Sequence, residues 1–557
     1  MMTRLITGSD GLRLKGRLAL LCVVPLLFIS GLAQQTPARP SGFRISGTAV
    51  NSVTGQPLAQ VRVFLGRPQA REDRDVVLTG ADGRFEFDGV PPGKYTLGAG
   101  RPGFLMQGFE QHEDFSSAIV VGPGISAENL LFRITPAATI SGQIVDEQNE
   151  PVRDAQVTLF RQRLLDGHIT TRLRGQTNSD DRGQYRFGSL PPGTYFVMVS
   201  ARPWYSPYTS NASNIDVNTG QDQNANSPLD LTYPLLYYSG VADSSQATPI
   251  TVAAGDHGTA DFSLTPVRSL HLRVHTPKLN LSQGYSIVLI PEAFQGVSVQ
   301  MPVGVQTSMV KPGEIEISGV APGQYRLQMV FPGKETSTFN QIVDLQSDTE
   351  LDAAAGNSIR DISGTIRMQD GSRLPMGTGV VLRNVVSGEP AQAPVVPDGH
   401  FQFPVRETIP PGTYEIAIGA RNTYIVSVSG SGAPLRGRSI DLRGADPVRL
   451  NIVAAQGVGR VDGTVLTSDG KPFAGAMVLL APDDLRNNAI LIRRDQSDSD
   501  GTFTLPNVVP GHYTLLAIRD GWGLEWMNPA VLKPYLAGGE QIVVQKNGNY
   551  NLKVRVQ

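Results

Sequence analysis

The chain has 557 residues, with 48 Lys and Arg against 50 Asp and Glu and a formal net charge of −2, a balance that excludes a general nucleic-acid binder, whose affinity rests on a basic surplus over phosphates. A hydrophobic fraction of 40% is enough for packed cores, and 18% charge is too little for a solvated disordered chain. The 60 Gly and 40 Pro, spread without a G-X-Y period, exclude collagen and a helical bundle and point to a turn-rich, all-β protein of several domains.

The chain opens with a basic leader, Arg4, Arg13, Lys15 and Arg17, followed by an apolar run from Leu18 to Leu32. Small residues Gly31 and Ala33 then precede Gln34-Gln35, which reads as a signal peptide over 1–33 cleaved near Ala33-Gln34. The run contains Pro25 and, at about 15 residues, falls short of the roughly 20 that span a bilayer. No later run reaches that length. The expectation is a secreted, periplasmic or outer-surface protein with no transmembrane segment after cleavage. Cys22, the only cysteine, follows Leu21, where a lipoprotein signal would need a small residue. The mature chain then has no cysteine, and its stability comes from conventional cores without disulfides.

One pattern recurs five times: a turn glycine, two aromatic or apolar residues spaced by one, a Pro-Gly turn, then a tyrosine. It reads DGRFEFDGVPPGKY at 82–95, DRGQYRFGSLPPGTY at 181–195, PGEIEISGVAPGQY at 312–325, DGHFQFPVRETIPPGTY at 398–414 and DGTFTLPNVVPGHY at 500–513. The spacing from glycine to tyrosine is 12 in four copies (Gly83 to Tyr95, Gly183 to Tyr195, Gly313 to Tyr325, Gly501 to Tyr513) and 15 in the other, Gly399 to Tyr414. A period near 100 residues means a string of small domains, since solenoid repeats run roughly 20–50 residues. Four copies open alike, ISGTAV at 45–50, ISGQIV at 140–145, ISGTIR at 362–367 and VDGTVL at 461–466; the third starts with LHLRVH at 270–275 and lacks the glycine. Closing strands include NLLFRITP at 129–136, DFSLTP at 261–266 and NLKVRVQ at 551–557.

Alternation such as Phe85-Glu86-Phe87 puts two rings on one sheet face and the charge on the other. Asp-Gly supplies the positive φ of a tight hairpin, and Pro-Pro-Gly reverses the chain into the Tyr strand. The fold class is therefore all-β, a tandem array of about five small Greek-key β-sandwich domains. The expected domains are 44–136, 137–266 with a polar and aromatic insert, a diverged 267–357, 358–456 and 457–557.

These motifs, with Gly55-Gln56-Pro57-Leu58 and Gly470-Lys471-Pro472-Phe473 and a weaker Glu150-Pro151-Val152, resemble the carboxypeptidase regulatory-like domain. The resemblance is close in copies 1, 2 and 5, fair in copy 4 and partial in copy 3. It implies a prealbumin-like, seven-stranded sandwich related to Cna-B repeats and grouped with carbohydrate-binding-like folds, an accessory module of exported bacterial proteins. Cna-B relatives can form an intramolecular Lys–Asn bond, but the opening strands here carry Arg44, Gln143 and Arg367 instead of lysine.

Chemistry is sparse. No peptidase zinc site is legible: Gln111-His112-Glu113-Asp114 would need an acid at Phe115 to complete an H-x-x-E spacing. His271 and His275 fall on one face of an alternating strand, able in principle to share a metal, with no acid or cysteine nearby in sequence. His400 and His512 occupy hairpin positions. There is no G-x-S-x-G elbow and no phosphate-binding glycine loop. Asp495, Asp498 and Asp500, and Asp180-Asp181, crowd two hairpins; calcium and ordinary turn chemistry both use such acids, but the D-x-D-x-D-G spacing is absent. The reading is no enzyme, no cofactor and no metal.

Aromatic side chains remain. Phe104, Trp204 and Trp522 each lie nine residues after their domain's tyrosine, which favours a structural cap on the sandwich end over a ligand platform. The wide spacing from Tyr195 to Tyr325 reveals an insert carrying Trp204, Tyr205, Tyr208, Tyr233, Tyr237 and Tyr238 around Asn, Gln, Ser and Asp at 210–230. Flat rings beside amides and hydroxyls suit a sugar, so Trp204, Tyr205, Tyr208, Tyr237 and Tyr238 are the candidate ligand-binding residues; the competing reading is a loop whose tyrosines pack back on the sandwich. The functional expectation is an exported, non-catalytic binding protein with a glycan or cell-surface polymer as partner, against a structural or adhesive spacer without a small ligand.

Overall fold

The structure, a computed structural model, describes residues 42–67, 74–165, 167–207, 227–276, 286–294, 297, 299–311, 313–331, 337–353, 361–386, 388–404, 409–444, 446–485 and 487–557. The leader, its cleavage site and Tyr208 lie outside them. The chain is all-β, built as tandem sandwiches. Five opening strands, Phe43–Asn51, Ala138–Val145, Leu270–His275, Ile362–Met368 and Gly459–Leu466, organise it. Each is flanked on one side by an antiparallel strand that follows the turn glycine. On the other side lies its own closing strand, parallel to it. A second sheet in each sandwich pairs a middle strand with the Tyr strand, for example Met477–Pro482 with Gly511–Ile518. Among the described residues the one α-helix is Pro529–Leu536, and no helix is long and apolar enough to cross a membrane.

The turn glycines are left-handed in all five copies, at φ of 75°, 70°, 85°, 89° and 77° for Gly83, Gly183, Gly313, Gly399 and Gly501. The expected hairpin and reversal are nevertheless corrected. In the first sandwich Arg74–Leu78 lies in one sheet, Arg84–Val90 in the other, and Gly93–Gly100 in the first of these again. Both turns carry the chain across the sandwich, because the strand after the turn glycine is needed beside the opening strand.

The opening glycine answers to the aromatic residue across from it. Phe85 pairs with Gly47, Tyr185 with Gly142, Phe401 with Gly364 and Phe503 with Gly463. A Cβ at Gly463 would lie 2.6 Å from the Phe503 ring and 2.3 Å from the Leu552 carbonyl oxygen, a clash no side chain can relieve. In the third sandwich the ring is replaced by Ile315, and the residue across from it is Val274. The missing glycine of LHLRVH is thus a volume exchange within one core.

The repeated tyrosines plug the same crossing. Each ring is buried, and each hydroxyl donates to a carbonyl four residues earlier: Tyr95 to Pro91 at 2.9 Å, Tyr195 to Pro191 at 2.6 Å, Tyr325 to Ala321 at 2.9 Å, Tyr414 to Pro410 at 2.7 Å and Tyr513 to Val509 at 2.7 Å. The motif therefore fastens the Pro-Gly crossover onto the core. Tyr513→Phe should lower the stability of the fifth sandwich by about 1 kcal/mol, the net worth of one buried hydrogen bond, as read by urea unfolding. An unchanged midpoint would deny the bond that role.

The sandwiches do not hang as separate beads. The first folds back on the fifth: Arg494 holds Glu113 with two bonds of 3.1 and 2.9 Å, and Gln496 donates to the Glu110 carbonyl at 2.7 Å. Lys94 reaches Asp498 at 2.5 Å, and the amides of Ala118 and Val120 donate to Asp498 and Ser499 at 2.8 and 2.9 Å. The second meets the fourth through Arg172 and Glu389 at 3.1 Å, and the fourth meets the fifth where Glu415 accepts the Ile490 amide at 2.9 Å. Each sandwich still has its own hydrophobic core. We propose domain boundaries near 137, 267, 358 and 457. On that proposal the fragments 44–136 and 457–557 express as folded units, shown by dispersed amide NMR spectra; collapsed spectra for both would refute it.

Candidate functional site

The three positions nine residues after a tyrosine part company in the structure. Trp522 is buried; its indole N–H donates to the Gly475 carbonyl at 3.1 Å, and its ring stacks on His112 at 5.2 Å and 7° between planes. Phe104 packs against the first core. Both fit a structural role. Trp204, by contrast, is 81% exposed, so the expected cap fails in the second sandwich.

Trp204 stands edge-to-face with Tyr205, ring centres 5.6 Å apart. Tyr205 is held by its hydroxyl, which donates to Glu147 at 2.7 Å, while the other oxygen of Glu147 accepts from Tyr233 at 3.2 Å. Burial and the bond to Glu147 push the Tyr205 phenol up to about 12, so it is neutral wherever the protein is folded near neutral pH. The result is an exposed indole beside a tyrosine fixed by a carboxylate that is two turn residues from the second opening strand. Sequence reading named both rings but had no signal for Glu147, which becomes their neighbour only through the fold.

The other candidates are placed differently. Tyr237 is 2% exposed, packed at 6.5 Å from Phe160 and 5.5 Å from Phe294 in a seam between the second and third sandwiches. Tyr238 is partly buried against the second core, edge-on to Phe262. Neither is beside Trp204 in an open face, because the insert returns to the sandwich after 227 and uses these rings as core. Tyr208 is outside the described residues.

The acidic and histidine clusters also resolve. His271 and His275 share a strand face, but acids do accompany them, brought from distant segments, which corrects the sequence reading. His271 is bonded to Asp230 at 3.1 Å and to Glu316 at 3.0 Å, and His275 lies 3.6 Å from Glu314 and 3.5 Å from Glu350. Burial opposes charge on His271, yet its bonds to the two carboxylates win and raise it to about 10. Asp495 accepts the amides of Gln496 and Thr504, and burial pushes it up to about 6; Asp500 accepts from Thr502, and Asp180 from the amides of Arg182 and Gln184. Among the described residues no group of three or more His, Cys, Asp or Glu is arranged to hold a metal ion. His112 and Glu113, the one zinc-like fragment, face Gln496 and Arg494 of the fifth sandwich.

Three segments, 44–116, 139–230 and 460–557, match the carboxypeptidase regulatory-like domain family. The first, second and fifth sandwiches each contain one of these segments and resemble carboxypeptidase regulatory-like domains. Trp204 and Tyr205 therefore sit on the second of these domains, within its matched segment. No curated protein matches the chain. Among solved structures, a streptococcal ancillary pilin is 12% identical over 52% of this chain and 99% of that one, with a TM-score of 0.17. The Bacillus anthracis TIE protein is 10% identical over 92% and 73%, at 0.17, and the minor pilin of Streptococcus agalactiae is 13% identical over 41% and 97%, at 0.21.

Proposed function

We propose that this is an exported, non-catalytic binding protein of the cell envelope or extracellular space, and that it contacts a glycan or other surface polymer through Trp204 and Tyr205. The observation that carries this reading is the 81% exposure of Trp204 where the equivalent rings are packed. An exposed indole is costly to leave in water and suits the apolar face of a sugar ring, while the fixed Tyr205 and Glu147 supply polar atoms at its edge. Three domains of a regulatory-like family fit a role in recognition. A linear spacer is disfavoured, because the first sandwich docked on the fifth shortens the span such a rod would provide.

The test is a glycan array probed with the full chain and with Trp204→Ala. Binding of the wild type should weaken at least about tenfold in the variant, as for a central aromatic contact, with no change in melting temperature because the ring packs on no core. A glycan-binding wild type matched by the variant would move the site elsewhere, and a wild type that binds nothing on the array would remove the glycan reading.

A further inference from the structure

The surface beside Trp204 has a definite electrical sign. The turn between the strands Ala138–Val145 and Gln156–Leu165 carries Asp146, Glu147 and Glu150, and its one basic residue, Arg153, is paired with Asp154 at 3.3 Å. Among the described residues no Lys, Arg or His forms an ion pair with Asp146 or Glu147. Asp146 is buried and accepts the amides of Gln148 and Glu150 at 2.9 and 2.8 Å, whereas Glu147 stands at the exposed surface. Burial raises the Tyr205 and Tyr233 phenols, and the charges of Glu147 and Asp146 raise them further, so the field at both hydroxyls is negative.

Hydrogen bonding leaves only acceptors around Glu147. The Tyr205 hydroxyl donates to one of its oxygens at 2.7 Å and the Tyr233 hydroxyl to the other at 3.2 Å, so both phenol protons are already used. What remains is lone pairs, on the carboxylate and on the Tyr205 oxygen. A ligand carbonyl or carboxylate brought here would meet lone pairs and negative charge. An ammonium, with three donors and no acceptor, matches both features and gains a charge-assisted bond. The rings favour the same group. Trp204 and Tyr205 stand at 82° to each other, an aromatic corner whose faces attract a cation, while the exposed indole also fits the C–H face of a sugar.

We infer that the Trp204 site takes a sugar bearing a free amino group, with the ring against the indole and the ammonium at Glu147; this rests on the glycan reading above and names its sugar class. Glu147 is then the residue that sets specificity. N-acetylation of the same sugar removes the charge and adds a carbonyl where the site offers only acceptors, so the acetylated form is the one the site rejects.

The experiment is calorimetry of the full chain with glucosamine oligomers, N-acetylglucosamine oligomers of equal length, oligogalacturonate and oligolysine. The glucosamine oligomer should bind about tenfold more tightly than its acetylated counterpart, the worth of one hydrogen bond to a charged group, and added salt should narrow the gap. Glu147→Gln keeps the shape and an acceptor for Tyr205, so it should hold the wild-type melting temperature and erase the preference. Trp204→Ala should weaken both sugars. The wild-type comparison needs no variant: an acetylated oligomer or oligogalacturonate bound as tightly as glucosamine overturns the inference. A preference that survives in Glu147→Gln also overturns it, and the glycan reading then stands on Trp204→Ala alone. If neither amino-sugar oligomer binds while the glycan array yields a neutral sugar, the inference falls and the glycan reading remains. A wild type that binds oligolysine and no sugar overturns both in favour of a basic peptide, and one that binds no sugar in either assay also removes both.

Discussion

Replacing Arg494 with alanine should release the first sandwich from the fifth. The guanidinium is 9% exposed, bonded twice to Glu113, and lies 4.6 Å over the Trp526 ring and 5.2 Å over Phe115. Removing it strands Glu113, itself only 19% exposed, beside an apolar cluster that contains Trp522, Trp526 and Phe115. Loss of one partner of such a pair costs about 3 kcal/mol, a large share of a docking otherwise held by the Lys94–Asp498 ion pair, the His112–Trp522 stack and single hydrogen bonds. Hydrogen exchange should then accelerate at the amides of Ala118 and Val120, whose acceptors, Asp498 and Ser499, are on the fifth sandwich. Tryptophan emission should move to the red, since two of the three tryptophans border the interface and the third, Trp204, is already in water. Arg494→Lys keeps the charge but not the paired bonds, so it should recover only part of the protection. Unchanged exchange and emission in Arg494→Ala would mean that the other contacts, among them Lys94–Asp498 and His112–Trp522, hold the two sandwiches together without it.

The second large effect lies at His271. Asp230 and Glu316 are each 2% exposed, and the ring between them ties the insert of the second domain to the opening strand of the third. His271→Leu leaves two buried carboxylates without the imidazolium, with an expected loss of about 3–5 kcal/mol in the third sandwich. The pH dependence has a definite sign. The folded-state value is raised from 6.5 to about 10, so the stabilisation is complete below about pH 6.5 and declines as pH rises toward 10. The stability gap between wild type and His271→Gln, from urea unfolding followed by third-domain NMR signals, should therefore be wide at pH 6 and narrow at pH 9.5. A gap that grows with pH would show that His271 is held neutral.

The repeat could be read without coordinates because its signals are local. A positive φ at Gly83 or Gly501 depends on two or three neighbouring residues, and the alternation Phe85-Glu86-Phe87 fixes which side chains share a face. Even the partnership of opening glycine and ring was present in the sequence, since four copies carry both and the third carries neither. The use of the tyrosine hydroxyl to pin a carbonyl four residues back is local as well, although the pattern alone showed only that the ring recurs.

The tertiary structure decided everything that depends on the outer faces of the sheets. Trp204 and Trp522 have the same distance from their tyrosines, yet one stands in water and the other lies against His112. Periodicity separates the two faces of a strand; whether another domain covers the outer one is settled by contacts between residues such as Glu113 and Arg494, which are 381 positions apart. The acids around His271 and the return of Tyr237 into a core were hidden for the same reason. Each segment's own sequence determined its strands and turns, because backbone sterics and side-chain alternation act over a few residues. The exposure and ionic partners of the candidate site were fixed only when domains packed, because those energies come from surfaces that meet far apart along the chain.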